Sequence, residues 1–201
     1  MNCRAAVLVL SALLAACGVP GCTRQGFFAT GGEEEPRGIV YVIDRSGSMT
    51  CSLDYVKSEL KRSIGELSED DEFDVIFYSS GPPVEMPTRR LVNATERNKQ
   101  LAFQFIDGVI AQGETDPAGA IERAFAVKPD IIYILTDGEF DRAIVALVKR
   151  LNADAKVTVH TIGFLYREGE PILKQIADQN GGRYRFVSEK DLADLVNRGG
   201  A

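Results

Sequence analysis

Asp44, Ser46 and Ser48 follow directly on the apolar run Gly38-Ile39-Val40-Tyr41-Val42-Ile43. Thr115 lies in Gly113-Glu114-Thr115-Asp116-Pro117, and Asp137 lies in Thr136-Asp137-Gly138, directly after Ile131-Ile132-Tyr133-Ile134-Leu135. These separate pieces each offer hydroxyl or carboxylate oxygen at the end of a strand pattern or the start of a helical one. Hard oxygen donors suit Mg2+, Mn2+ or Ca2+ and suit Zn2+ or copper poorly. The chemistry they point to is the holding of one divalent cation. Taken singly, each piece has a plainer reading: Asp44 as a turn or cap residue, Ser46 and Ser48 as helix N-caps, Thr136-Asp137-Gly138 as a turn.

Alternating strand and helix signals position these residues. Ile39 to Ile43 reads as a strand buried on both faces. Leu53 to Leu67 has helical spacing through Val56, Leu60, Ile64 and Leu67, and Phe73 to Tyr78 is the next strand. Pro82-Pro83 forces a turn. Val84 to Val92 contains Pro87 and is expected as an edge strand. Thr95 to Ile110 is helical. Pro117 to Val127 is a short helix, with Thr115 near its N-cap and Pro117 in its first turn. Ile131 to Leu135 is a strand, Ala143 to Leu151 a helix and Val157 to Ile162 a strand. Ile172 to Asp178 is a helix ended by Gly181-Gly182, and Tyr184 to Val187 is the last strand. Ser188-Glu189-Lys190-Asp191 resembles a capping box before a final helix. The expected class is α/β, a doubly wound and mostly parallel sheet with helices on both faces and one antiparallel edge strand. Ligands of such sheets bind beyond the carboxyl ends of the strands, where strand order switches. Asp44 and Asp137 both sit just past strand ends.

Asp44-x-Ser46-x-Ser48, then Thr115, then Asp137 in Thr-Asp-Gly, resembles the metal-ion-dependent adhesion site (MIDAS) of von Willebrand factor type A (VWA) domains. Thr161-Ile162-Gly163-Phe164 after a strand, and Ile176-Ala177 leading to Gly181-Gly182-Arg183-Tyr184, fit the same family. The resemblance covers about residues 38 to 197. It implies that Ser46 and Ser48 bind the metal through their hydroxyls and that Thr115 binds it directly in the ligand-competent state. It implies that Asp44 and Asp137 bind directly or through water, and that a sixth position is left for water or for a partner's carboxylate. With the carboxylates one shell back, a bound ion stays electrophilic toward an incoming Asp or Glu, and outer carboxylates orient its waters. Glu114 departs from the family, where many relatives have a second Gly; it adds negative charge near the rim. Arg45, at the variable position, is expected to point away from the ion, and Asp116 to cap the short helix.

Enzyme readings are weaker. A hydrolase elbow wants Gly two residues before Ser46, where Asp44 stands. The sole His is His160, inside a strand pattern, where it reads as a packed residue. No Gly-rich Lys-containing phosphate loop occurs. Asp44 as a phosphoryl acceptor would want a second acid two residues on, where Ser46 sits. The alternatives to a binding module are a metal-dependent hydrolase or phosphatase on the same scaffold, or a structural module with a silent metal site.

The chain has 201 residues and a net charge of −6, with 45% apolar and 26% charged residues. That fits a single domain with a short extension. An acidic balance argues against a nucleic-acid partner, and the absence of Trp argues against a base-stacking platform. Ala5 to Ala16 is apolar except for Ser11 and is shorter than the roughly 20 residues of a membrane-spanning helix. It reads as a signal peptide over residues 1–16. Leu14-Ala15-Ala16-Cys17 resembles a bacterial lipobox, which implies cleavage before Cys17 and lipid on its sulfur. A membrane anchor in the bacterial cell envelope follows from that resemblance; an ordinary secretory signal is the other reading. Residues 17–37, with Pro20, Pro36 and Glu33-Glu34-Glu35, read as a flexible tether, 38–197 as the domain and 198–201 as a tail. Cys22 in the tether and Cys51 at a helix start make a poor disulfide pair, though an oxidising envelope permits one. The expected role is non-covalent capture of a protein ligand presenting an Asp or Glu carboxylate, through a bound Mg2+, Mn2+ or Ca2+.

Overall fold

A computed structural model describes residues 35–138 and 141–191. The signal, most of the tether, Cys17, Cys22 and the C-terminal tail lie outside the described residues. In chain order the elements are β1 (Gly38–Asp44), a 3-10 turn (Gly47–Cys51), α1 (Leu53–Gly65), β2 (Glu72–Tyr78), β3 (Val84–Glu85) and β4 (Val92–Asn93). There follow α2 (Glu96–Gly108), α3 (Ala118–Ala126), β5 (Ile131–Thr136), α4 (Ala143–Leu151), β6 (Thr158–Phe164), α5 (Glu170–Gln179) and β7 (Tyr184–Val187). The sheet runs β3-β2-β1-β5-β6-β7, with β4 also paired to β2. All pairings from β2 through β7 along that path are parallel; β3 and β4 run antiparallel to β2.

The continuous apolar run of β1 is explained by cover on both sides. Ile39, Tyr41 and Ile43 face a core shared with Phe73, Val75 and Phe77 of β2, Val56, Leu60 and Ile64 of α1, and Ile106 of α2. Val40 and Val42 face the opposite core with Ile132 and Ile134 of β5, Ile121 and Ala124 of α3, Val148 of α4 and Ile176 of α5. A strand buried on both faces has no polar alternation to keep. Tyr41, Tyr133 and His160 stand opposite one another in register. Their rings stack at 5.6 Å and 4.9 Å, and His160 Nδ1 accepts from Arg183 N at 3.0 Å. The lone histidine is a sheet residue, as the sequence reading expects.

Two local expectations change. The segment from Val84 to Val92 forms two short strands on the β2 edge rather than one. Pro87 has no N–H to give, and Arg89 takes a positive φ of 51°, which an extended strand cannot hold. Thr115 does not cap α3: Pro117 is at the N-cap position with no side-chain cap bond. Asp116 Oδ1 accepts from Ala118 N at 3.1 Å instead. At the start of α2, Thr95 accepts from Asn98 N. The capping box at Ser188 is as read. Ser188 and Asp191 exchange bonds, Asp191 Oδ2 accepting from Ser188 N at 2.8 Å and Ser188 Oγ from Asp191 N at 3.3 Å. Cys51 is exposed and has no disulfide partner among the described residues. No helix among the described residues is long and apolar enough to cross a membrane.

Candidate metal centre

β1 and β5 are neighbours at the point where strand order departs in both directions, so their carboxyl ends open a crevice between the loops that follow them. Asp44 is the last residue of β1 and is fully buried. Its Oδ1 accepts from Ser46 N at 2.8 Å and its Oδ2 from Thr136 Oγ1 at 2.6 Å. The first bond tightens the turn out of β1; the second ties that turn to the end of β5. Both carboxylate oxygens are thereby oriented.

Ser46 occupies the N-cap position of the 3-10 turn but makes no side-chain cap bond. Its Oγ instead lies 3.0 Å from Ser48 Oγ, and Ser48 Oγ donates to Asp137 Oδ1 at 2.8 Å. The plain capping role is therefore unfilled, and both hydroxyls turn toward the crevice. Met49, next after Ser48, is fully buried in the core with α1 and anchors the turn.

The Thr115 loop is held to the first loop through backbone. Gly47 N donates to Gly113 O at 2.9 Å, and Gln112 N donates to Arg45 O at 2.8 Å. Gly113 has φ +79°, and a Cβ there would stand 2.6 Å from Ser80 Oγ. Glycine is what lets this loop approach. Thr115 Oγ1 is close to the β5 loop: a Cβ added to Gly138 would lie 3.7 Å from it and 3.7 Å from Thr136 Oγ1. All of the sequence-derived candidates, Asp44, Ser46, Ser48, Thr115 and Asp137, come together in this crevice. Arg45 turns away, its guanidinium donating to Ile110 O at 3.2 Å. Glu114 is exposed on the rim, with its N–H bonded to Ser80 Oγ at 3.1 Å.

Asp137 supplies the test of fit. Oδ1 is bonded to Ser48, but Oδ2 is buried and has no hydrogen-bond partner among the described residues. A buried carboxylate oxygen without a donor costs roughly 1–3 kcal/mol or more. Burial raises the Asp137 carboxyl above its usual range; the Ser48 bond lowers it and the Asp44 charge raises it again. Burial also raises Asp44, with the Thr136 and Ser46 bonds opposing. Two raised carboxyls and a buried, unpartnered carboxylate oxygen thus lie beside the Ser46 and Ser48 hydroxyls. No group of three or more His, Cys, Asp or Glu among the described residues could hold a metal. The sequence-derived candidates comprise the carboxylates of Asp44 and Asp137 and the hydroxyls of Ser46, Ser48 and Thr115.

Thr136 is the residue that sequence reasoning missed. It crosslinks Asp44 and the β5 loop, donating to Asp44 Oδ2 and accepting from Gly138 N at 3.0 Å. A hydroxyl residue placed directly before Asp137 at the strand end was the available signal.

Residues 37–186 match a family model described as the von Willebrand factor type A domain. Among curated proteins, the chain is 29% identical over 154 residues to human von Willebrand factor A domain-containing protein 3B, covering 75% of this chain and 12% of that protein. It is 28% identical over 175 residues to the uncharacterized protein YfbK of Escherichia coli, covering 79% and 29%. The chain therefore spans less than a third of each of these relatives. A solved von Willebrand factor type A structure from Catenulispora acidiphila superposes with a TM-score of 0.68 at 20% identity, covering 82% of this chain and 42% of that one. An aerotolerance-related membrane protein from Bacteroides fragilis gives 0.60 at 20% identity, covering 80% and 96%. Proximal thread matrix protein 1 from the mussel byssus, solved with a zinc-occupied MIDAS motif, gives 0.62 at 20% identity, covering 81% and 45%.

Proposed function

This chain belongs to the von Willebrand factor type A domain family, and from that premise we propose that it is a divalent-cation-dependent protein-binding module of the bacterial cell envelope, not an enzyme. Ser46, Ser48 and Thr115 hold the cation through hydroxyls, and Asp44 and Asp137 balance its charge. When bound, the ion supplies an electrophilic position for a partner's Asp or Glu carboxylate. The residues of the chain do the rest. Thr136 and Ser46 N–H fix the Asp44 carboxylate, Ser48 fixes that of Asp137, and the Gly47–Gly113 bond holds the Thr115 loop in place.

The observation that carries this reading is the orphaned, buried Asp137 Oδ2 beside the Ser46–Ser48 hydroxyl string. The only histidine of the sequence, His160, gives a catalytic alternative no support, being stacked on Tyr133 in the sheet with Nδ1 engaged. The cation is Mg2+, Mn2+ or Ca2+ by donor chemistry. The zinc in the mussel protein's site makes Zn2+ the necessary fourth arm of any titration. Calorimetry with these ions on wild type and Asp44→Ala tests the centre; identical titrations for both proteins would remove it. Capture of envelope proteins by the immobilised chain is expected to be lost in EDTA and restored by the cation. The Cys17 anchor is tested separately by mass spectrometry of the mature N-terminus, an unmodified Cys17 refuting it.

A further inference from the structure

One segment touches both the Thr115 loop and the helix behind it. It is the connection from β2 to β3, which begins Ser79-Ser80-Gly81-Pro82-Pro83. Ser80 Oγ accepts from Glu114 N at 3.1 Å. Pro83 packs at the first turn of α3, where a Cβ on Gly119 would stand 3.7 Å from Pro83 Cδ. Glu85 Oε2, in β3, accepts from Arg123 Nε of α3 at 2.8 Å. Residues 80, 83 and 85 thus meet residues 114, 119 and 123 in that order, and the connection runs alongside the start of the helix. It is also built to be stiff. Pro82 and Pro83 each fix φ near −65°, and Gly81 takes φ +96°, a region that favours glycine. At its root, Tyr78 O accepts from Arg45 N at 2.9 Å, which ties the end of β2 to the loop carrying Ser46 and Ser48.

The Thr115 loop depends on such support. Its earlier half is held by main-chain bonds, Gln112 N to Arg45 O and Gly47 N to Gly113 O. Its later half leads into α3, where Asp116 Oδ1 accepts from Ala118 N. Between them stands Glu114, whose N–H is the donor directly before Thr115 in the chain, and a side-chain hydroxyl takes it. Gly113, at φ +79° and without a Cβ, is the pivot on which the loop turns if that hydroxyl is lost. Ser80 itself is exposed. An exposed hydrogen bond competes with water and adds little to global stability. Its consequence is local: it fixes the backbone one residue before a candidate ligand.

We infer that Ser80 is a positioning residue of the metal centre: its hydroxyl, carried on the stiff β2–β3 connection, holds the Glu114 amide and so sets where the Thr115 hydroxyl meets the cation. The inference rests on the cation-dependent reading above. It adds to that centre a strand, β2, that carries none of the candidate ligands.

Ser80→Ala and Ser80→Thr in the full chain test it, the first removing the hydroxyl and the second keeping it. Exchange of the Glu114 amide proton with water, read by NMR in EDTA, is expected to quicken in Ser80→Ala and to return toward the wild-type rate in Ser80→Thr. Calorimetric titration with Mn2+ is expected to weaken about threefold to tenfold in Ser80→Ala, the effect of one hydrogen bond, and to recover in Ser80→Thr. A quickened Glu114 amide with unchanged Mn2+ affinity makes Ser80 a local structural contact and overturns the inference. Weakened Mn2+ binding with wild-type exchange at Glu114 also overturns it, because the effect then does not pass through that bond. Equal loss of affinity in both variants does the same, since the hydroxyl is then not what acts. In each of these cases wild type still titrates and the cation-dependent reading stands. A wild type that takes up no Mn2+, Mg2+, Ca2+ or Zn2+ removes both.

Discussion

Asp137 shows how one side chain reports what its site is for. One oxygen is satisfied by Ser48; the other is buried against nothing that donates. In the cation-free protein the ionised form is penalised by burial and by Asp44. Asp137→Asn, which copies the neutral form, is expected to raise the melting temperature in EDTA and to abolish the further rise on adding Mg2+. Melts of both proteins with and without the ion check this; a variant still stabilised by Mg2+ as wild type is would mean the carboxylate plays no part. Thr136 makes the complementary case. Thr136→Val removes the donor to Asp44 Oδ2 and leaves a buried carboxylate oxygen unpaired, a cost of about 1–3 kcal/mol. By releasing the orientation of Asp44 it should also weaken cation affinity about 10-fold or more, read by calorimetry. The sequence shows the ligand-type residues because their chemistry is in their side chains. It does not show Thr136, because the value of that hydroxyl depends on which strand lies next to β1.

The elements matter through what they bring near the site. Gly113 is the tight point of the Thr115 loop. Gly113→Ala meets both a positive φ and a contact with Ser80 Oγ, a strain of about 1–3 kcal/mol. The expected result is lower stability together with weaker cation binding, since Thr115 moves with the loop. A variant melting and titrating as wild type would count against that loop geometry. On the other side of the sheet, β2, β3 and α3 are joined by a buried charge cluster. Asp74 Oδ2 and Glu85 Oε1 are both buried and accept no hydrogen bond among the described residues; Arg123 Nε donates to Glu85 Oε2 at 2.8 Å, and Arg123 Nη2 pairs with Oε1 at 2.8 Å. Arg123 also donates to Arg89 O. Burial first, then the neighbouring Glu85 carboxylate, push Asp74 up to about 8. A carboxyl raised in the folded state stabilises below its unfolded value near 3.8, and that contribution is lost as pH rises toward 8. Wild type should therefore lose stability from about pH 4 to pH 8 through this group. Asp74→Asn keeps a donor for Glu85 without the charge, so it should flatten that slope and melt higher than wild type at pH 8 and above. A melting temperature series from pH 5 to 9 decides it, and parallel slopes would exclude Asp74 as the source. None of this cluster was visible in the sequence, because the segment carrying Glu85 reads there as one long edge strand, and only its division by Pro87 and Arg89 sets Glu85 over β2.

At the scale of the molecule, the cation should behave as part of the fold. A ligand that binds only the folded state at 100 times its dissociation constant adds about 2.7 kcal/mol. For a domain of this size that is roughly 5–10 °C. Mg2+ is expected to raise the melting temperature by that order and EDTA to reverse it, and no shift at millimolar Mg2+ would contradict a working centre. The parallel sheet, the helices on both faces and the placing of Asp44 and Asp137 at strand ends were legible in the sequence. Hydrophobic period and strand-end chemistry are local properties, and local properties are written along the chain. The strand order was not legible, nor the bonds that lock Gly47 to Gly113 and Thr136 to Asp44. Each of those joins residues far apart in sequence, and their meeting is decided by how the sheet is ordered and which loops then pack together.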